Sequence, residues 1–267
     1  MDKLPCFKSY DIRGRVPAEL DERMAYLLGR LYADTLPRPA TVAVGQDARR
    51  SSPVLARALA RGLNDGGVQV RDLGLCGTEN IYFAAAQPGL AGGIMVTASH
   101  NPADYNGMKL VKAGAIPVTQ AELGQLEAEL RQALLRPDPP PVADRGATVA
   151  APDRSDYLRK ILGFVDPSRL KPLKIVMNAG NGCAGPTAEA LCRKLPIQAI
   201  PLHFTPDPSF PNGIPNPLLP ENQPATAEAV RQHGADLGVA WDGDFARCFF
   251  FDETGRFIDG YYIVGLL

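Results

Sequence analysis

The sequence predicts an α/β protein made of two successive layered units. Short apolar, β-branched runs alternate with amphipathic helical stretches along the chain. A stiff proline-rich segment, Arg136-Pro137-Asp138-Pro139-Pro140-Pro141-Val142, interrupts that alternation near the middle and reads as a linker or an extended surface segment. The same strand–turn–helix pattern then resumes on the far side.

The elements follow in order. Glu19 to Leu36 has helical spacing, with Leu20, Met24, Leu27, Leu28 and Leu31 on one side. Thr41 to Gly45 reads as a buried strand. Ser51-Ser52-Pro53 opens a helix, with serine at the cap and proline in the first turn, and Asp65-Gly66-Gly67 ends it. Val68 to Leu73 is a strand, Thr78-Glu79 starts a short helix, and Gly93 to Val96 and Met108 to Val111 are strands. Thr119 to Leu135 is an amphipathic helix. Beyond the proline segment come a helix at Ser155 to Leu162, a strand at Leu173 to Met177 and a helix around Ala188 to Lys194. A strand at Ile197 to Phe204 and a helix at Asn222 to His233 follow. Leu237 to Trp241 and Cys248 to Phe251 read as neighbouring strands. The apolar end, Tyr261 to Leu267, reads as the start of a packed helix, so the chain is expected to stop partway into a third unit.

Composition narrows the function. The 267 residues hold one large domain or two ordinary ones, and the 45% hydrophobic share supports a sizeable core. With 28 basic and 29 acidic residues the net charge is −1, which gives no general field for nucleic acid or an anionic membrane. The five cysteines are odd in number and widely spaced, without a CxxC pair, as in free thiols of a reducing compartment. No apolar run approaches the roughly 20 residues of a membrane span. The beginning, Met1-Asp2-Lys3-Leu4-Pro5, has no signal-peptide core. A cytoplasmic protein is expected.

The most specific stretch runs from Thr97-Ala98-Ser99-His100-Asn101-Pro102 to Asn106-Gly107-Met108-Lys109. It sets a serine hydroxyl at the end of an apolar strand, before an Asn-Pro turn, with a lysine ten positions on. The residues alone leave two readings, a turn or cap serine and a phosphorylated one. A phosphate adds a charge of about −1.5 to −2 and three acceptor oxygens, for which Lys109 is a cationic partner. A second stretch, Asp242-Gly243-Asp244-Phe245-Ala246-Arg247, follows another apolar strand. Carboxylates at alternate loop positions can converge on one hard cation, although Asp-Gly-Asp is also an ordinary turn. Near the beginning, Tyr10-Asp11-Ile12-Arg13 places an arginine in an apolar approach, where a phosphate or carboxylate partner fits.

Other patterns carry less. Gly180-Asn181-Gly182-Cys183-Ala184-Gly185 is a literal GxGxxG after a strand, but the strand that follows ends in His203-Phe204-Thr205 and lacks the ribose-binding acid there. A glycine-rich turn for close packing is the expectation. His203 and His233 read as structural. His100 has no evident aspartate partner, and no Gly-x-Ser-x-Gly elbow is present, which disfavours a Ser-His-Asp hydrolase. Phe210-Pro211-Asn212-Gly213-Ile214-Pro215-Asn216-Pro217 reads as a long ordered loop.

From Phe7 onward the chain resembles the α-D-phosphohexomutases, the phosphomannomutase/phosphoglucomutase family, and most closely its bacterial members. The anchors are Tyr10 to Arg13, Thr97 to Lys109, Asn178 to Gly182, Phe210 to Pro217 and Asp242 to Arg247. The resemblance implies tandem three-layer α/β/α domains: residues 1–145 with the phosphoserine loop, 146–256 with the metal loop, and 257–267 beginning a third domain. It implies reversible phosphoryl transfer between C1 and C6 of a hexose phosphate through a hexose 1,6-bisphosphate. In this pattern Ser99 carries the phosphoryl group, and Ser99, Asp242 and Asp244 hold Mg2+. Arg13 and Arg247 are electrostatic partners, Lys109 is the candidate general acid or base, and His100 is the candidate to orient the phosphoserine or the substrate. The family pattern has a third aspartate where this chain has Ala246, which weakens the expected metal site. The family's proteins have four domains, with the sugar-recognition and C-terminal phosphate loops in the latter two, so this chain alone is expected to be inactive or weakly active as a mutase. The expected partners are sugar phosphates, with no nucleic acid, no membrane and a monomeric state. A non-catalytic homologue or fragment that binds metal or sugar phosphate, and a weak phosphohydrolase, fit the same residues.

Overall fold

In the computed structural model, which describes residues 3–266, the chain divides into two compact units at Pro152/Asp153. The first unit contains β1 (Ile12–Arg15), α1 (Glu22–Asp34), β2 (Thr41–Gln46), α2 (Ser52–Asp65), β3 (Gln69–Leu75), α3 (Thr78–Ala85) and β4 (Gly92–Val96). It continues with β5 (Tyr105–Lys112), β6 (Ile116–Pro117), α4 (Gln120–Leu134) and β7 (Thr148–Ala150). Its sheet runs β1-β5-β4-β2-β3-β7, with β6 beside β5. β4, β2, β3 and β7 are parallel, whereas β5 is antiparallel to both β4 and β1.

The central strands β2, β4 and β5 are buried on both faces, and successive residues serve opposite layers. Val42, Val44, Ile94, Val96, Met108 and Leu110 pack with Leu27, Leu28, Leu55, Leu59, Leu123 and Leu126 of α1, α2 and α4. Ala43, Met95 and Val111 face Ile81, Ala84 and Ala85 of α3 on the other side. Burial of this kind contributes about 25 cal/mol per Å² of apolar surface, which is why the strand runs are so uniformly aliphatic.

Several sequence expectations shift in detail. The first helix begins later than its apolar spacing suggests, because Asp21 caps it and accepts from the Met24 amide at 2.8 Å. The expected serine cap of α2 is not made: Ser51 forms no side-chain cap bond, and Ser52 Oγ donates instead to Asp47. The proline segment is an extended surface strip. Arg23 holds it through Asp138 and the Arg136 carbonyl, and the Val142 amide donates to Asp65 O. The chain then returns as β7 on the edge of the first sheet, which keeps residues 148–150 in that unit.

The second unit contains α5 (Ser155–Leu162), β8 (Lys174–Asn178), α6 (Ala184–Cys192), β9 (Gln198–Leu202), α7 (Pro224–His233), β10 (Leu237–Trp241), β11 (Cys248–Phe251), β12 (Phe257–Ile258) and α8 (Gly260–Leu266). The sheet order is β12-β11-β10-β8-β9, parallel across β10-β8-β9 and antiparallel across β12-β11-β10. Val176, Ala240 and Phe251 pack beneath Ala229 and Val230 of α7. In α8 the apolar side chains Tyr261, Tyr262, Val264 and Leu266 stand exposed rather than packed, and Leu267 lies outside the described residues. Among the described residues no helix is long and apolar enough to cross a membrane.

The start of α4 generates a pH prediction. Thr119 Oγ1 accepts from the Glu122 amide at 3.2 Å, and Glu122 accepts in return from the Thr119 amide at 2.8 Å. Lys112 Nζ donates to the same carboxyl at 2.8 Å. Lys112 first, then Thr119, hold the Glu122 carboxyl down from its ordinary 4.5 to about 2. A carboxyl depressed on folding stabilises the protein above its unfolded pKa and loses that contribution as pH falls through the folded one. Relative to Glu122→Gln, the wild type should therefore have a higher melting midpoint at neutral pH. The margin should be small at so exposed a pair and shrink between pH 4.5 and 2. A margin that stays constant across that window would count against the assignment.

Candidate active site

Each unit carries its own group of the expected residues. In the first, β4 ends at Val96 and the chain turns through residues 97–104 before returning as β5. Ser99 sits inside that turn with 4% of its surface exposed and φ +51°, in the left-handed region that non-glycine residues seldom occupy. Its Oγ lies 3.1 Å from His100 Nδ1, and its amide donates to Thr97 Oγ1 at 2.8 Å. Strain of this sort persists only where the surroundings over-determine it.

Those surroundings are a buried charge pair at the end of β2. Arg49, with 1% exposure, donates to three carbonyls of the serine loop and to that of Tyr105 at the start of β5. Its Nη2 reaches Ser99 O at 2.9 Å and Asn101 O at 2.6 Å, and its Nη1 reaches Pro102 O at 2.6 Å and Tyr105 O at 3.0 Å. Asp47 faces Arg49 Nε at 3.3 Å and accepts from the Arg49 amide, from Ser52 Oγ and from Thr97 Oγ1, the last at 2.7 Å. Burial pushes the Asp47 carboxyl up from its ordinary value, and Arg49 leads the groups that pull it back. Asn106 donates to Ser51 Oγ and Ser52 Oγ at 2.8 Å each, tying the start of β5 to the start of α2.

Arg13 reaches the same loop from β1. Its Nη1 donates to Asn101 Oδ1 at 2.7 Å while Nη2 pairs with Asp11 at 2.7 Å. Arg13 stands opposite Gly107 in the β1–β5 ladder, so it shares a sheet face with Lys109, two residues further along β5. Lys109 is half-buried opposite Met95. The first unit therefore brings Arg13, Ser99, His100 and Lys109 to one corner of the sheet, as residues on β1, the serine loop and β5.

In the second unit Asp242 and Asp244 are both fully buried in the turn after β10. Arg247 clasps Asp242 twice, through its amide at 3.1 Å and through Nε at 3.0 Å. Phe245 takes φ +42° and donates its amide to Asp242 O, which curls the loop. Ala246 lies half-buried on this turn, where the family pattern has its third carboxylate. No cluster of three or more metal-ligating His, Cys, Asp or Glu side chains occurs among the described residues.

The glycine-rich turn acts as a packing device for this loop. A Cβ on Gly182 would come within 2.7 Å of Gly243 O, and the Cys183 amide donates to that same carbonyl at 3.0 Å. Gly180, at φ +55°, leaves room for Pro215 of the Phe-Pro-Asn loop. Asn212 joins that loop to Asn181 and His203 at 2.9 Å each, so His203 is structural, as its sequence setting suggests.

Two family models match the chain: the phosphoglucomutase/phosphomannomutase alpha/beta/alpha domain I over residues 5–136, and domain II over residues 155–255. The chain belongs to the phosphoglucomutase/phosphomannomutase family. It is 53% identical to a phosphomannomutase of Salmonella typhimurium over 100% of this chain and 59% of the relative, and 52% identical to a Xanthomonas campestris protein named phosphohexose mutases, over 99% and 58%. Among solved structures, a phosphoglucomutase/phosphomannomutase family protein of Burkholderia thailandensis superposes with a TM-score of 0.85 at 34% identity, covering 97% of this chain and 57% of that one. The chain thus spans rather more than half the length of these relatives. The fold is the tandem α/β/α arrangement that the sequence anticipates.

The sequence reading misses Asp47 and Arg49 as members of the site. Their signal is position: Gln46-Asp47-Ala48-Arg49 follows the buried strand β2 directly, and open parallel sheets gather functional groups at the carboxyl ends of their strands.

Proposed function

We propose that this chain is the phosphoryl-carrying and metal-holding part of a phosphohexomutase, with Ser99 as the carrier. The observation that supports it most is the held serine. Ser99 lies in a left-handed turn at a strand end, with His100 Nδ1 at 3.1 Å from its Oγ, Arg13 bonded to Asn101 of the same loop, and Lys109 on the adjoining strand β5. In the proposed step the bond from Ser99 Oγ to phosphorus breaks as a hydroxyl oxygen of a hexose monophosphate bonds to that phosphorus. The product is a hexose 1,6-bisphosphate. The hydroxyl's proton leaves, with Lys109 the candidate group to receive it, and the departing Ser99 Oγ takes up a proton to become the free serine hydroxyl. Return of the other phosphoryl group to Ser99 restores the enzyme and completes the isomerisation. Because the Salmonella relative is named a phosphomannomutase, mannose phosphate is the hexose phosphate proposed first.

The donor set of the second unit fits magnesium. Asp242 and Asp244 are hard oxygen donors, both buried in one turn, with Arg247 paired to Asp242. Asp242 and Asp244 are the ligands proposed from this unit. Bound there, magnesium would offset negative charge on the transferring phosphoryl group. Arg247 holds Asp242 in place and adds positive charge beside it.

Two measurements check this reading. Intact mass of the purified chain, before and after phosphatase, should show a phosphate increment that maps to Ser99 and is missing in Ser99→Ala. A phosphate that maps elsewhere, or persists in the variant, sinks the carrier assignment. For the metal, Ala246→Asp should tighten magnesium binding about tenfold or more, which is about 1.4 kcal/mol. Calorimetric titration of both proteins at matched Ser99 phosphorylation decides it, and equal affinities would mean either that position 246 points away from the ion or that this loop does not bind metal.

A further inference from the structure

We infer that Asp47, Arg49 and Thr97 are positioning residues for phosphoryl transfer, because together they hold the backbone of the serine loop in the one conformation that leaves Ser99 ready to carry a phosphoryl group. This rests on Ser99 being the carrier.

Two linked devices do the holding. The first is a carbonyl sink. Three carbonyls of one short loop, those of Ser99, Asn101 and Pro102, and that of Tyr105 at the start of β5 converge on the guanidinium of Arg49 at 2.6 to 3.0 Å. A dianionic phosphate is repelled by carbonyl lone pairs and attracted by amide hydrogens and cations. Turning those four oxygens inward removes them from the face that must receive the phosphoryl group. Lysine cannot do this, since an ammonium has three donors on a single nitrogen and lacks the planar fork.

The second device is a relay through a hydroxyl. Asp47 accepts from Thr97 Oγ1 at 2.7 Å, which orients the hydroxyl so that its lone pair accepts the Ser99 amide at 2.8 Å. Asp47 and Arg49 also face each other, so one buried pair fixes both the amide and the carbonyl of the serine. The left-handed φ of Ser99 is thereby specified from both sides of the residue. Neither Asp47 nor Arg49 has more than 3% exposure, so neither is placed to bind a ligand from solvent.

The test uses the full chain, with glucose 1,6-bisphosphate as phosphoryl donor. It reads phosphate uptake at Ser99 by mass spectrometry, per folded molecule, beside thermal melts. Thr97→Val breaks the relay while leaving the Asp47–Arg49 pair in place. It should stay folded yet take up phosphate about 10²-fold more slowly, the scale on which a displacement of about 1 Å acts. Thr97→Ser keeps the hydroxyl and should keep the rate. Arg49→Lys keeps the charge opposite Asp47 but loses the fork, and should slow uptake on the same scale. Wild-type rates in folded Thr97→Val and Arg49→Lys overturn this inference and leave the carrier reading intact. Equal slowing in Thr97→Val and Thr97→Ser also overturns it, since the hydroxyl would then not be the positioning group. Absence of uptake at Ser99 in the wild type overturns the carrier reading and this inference together.

Discussion

The first unit depends on one buried ion pair. Asp47 and Arg49 sit where β2 ends, between the serine loop and the start of α2, and their bonds reach Ser52, Thr97 and the carbonyls of Ser99, Asn101, Pro102 and Tyr105. Removing one member of such a pair leaves an uncompensated charge away from water, a loss of about 3–5 kcal/mol. An apolar replacement of both would fill the volume but could not organise the loop, because the loop's carbonyls and the Thr97 hydroxyl need partners. The pair thus makes the strained backbone of Ser99 tolerable, and the same bonds tie the loop to a helix that is itself locked into the α1–α2–α4 layer.

The second unit reaches a comparable result by different means. Its Asp242 loop is held by Arg247 and by a close approach of two glycine backbones, Gly182 to Gly243. A GxGxxG string placed after a strand invites a nucleotide. Here its glycines serve clearance between loops, which the string alone cannot distinguish, since what matters is the partner that each glycine faces.

Much of the fold was legible because strands buried on both faces leave uninterrupted aliphatic runs, as at Thr41 to Gly45 and Leu237 to Trp241. The strands that escaped notice lack that signature. β1 alternates arginine with glycine and isoleucine at a sheet edge, and β7 is three exposed residues recruited by pairing with β3. The serines before α2 followed a local capping rule that lost to distant partners, Asp47 and Asn106. The candidate site was legible where a motif is contiguous, as for Ser99 to Lys109 and Asp242 to Arg247. It was illegible where a residue's role comes from the strand next door. Nothing around Arg49 in sequence announces four carbonyls some 50 positions further on.

The central claim is that the serine loop is held rigid from beneath. Amide hydrogen exchange at Ser99 tests it most directly. If the Ser99 amide is bonded to a hydroxyl fixed by the buried pair, it should exchange slowly in the wild type, with protection near that of the neighbouring strand β4, and lose that protection selectively in Asp47→Asn. Rapid exchange of the Ser99 amide in the wild type, at the rate of an open surface loop, would contradict the account.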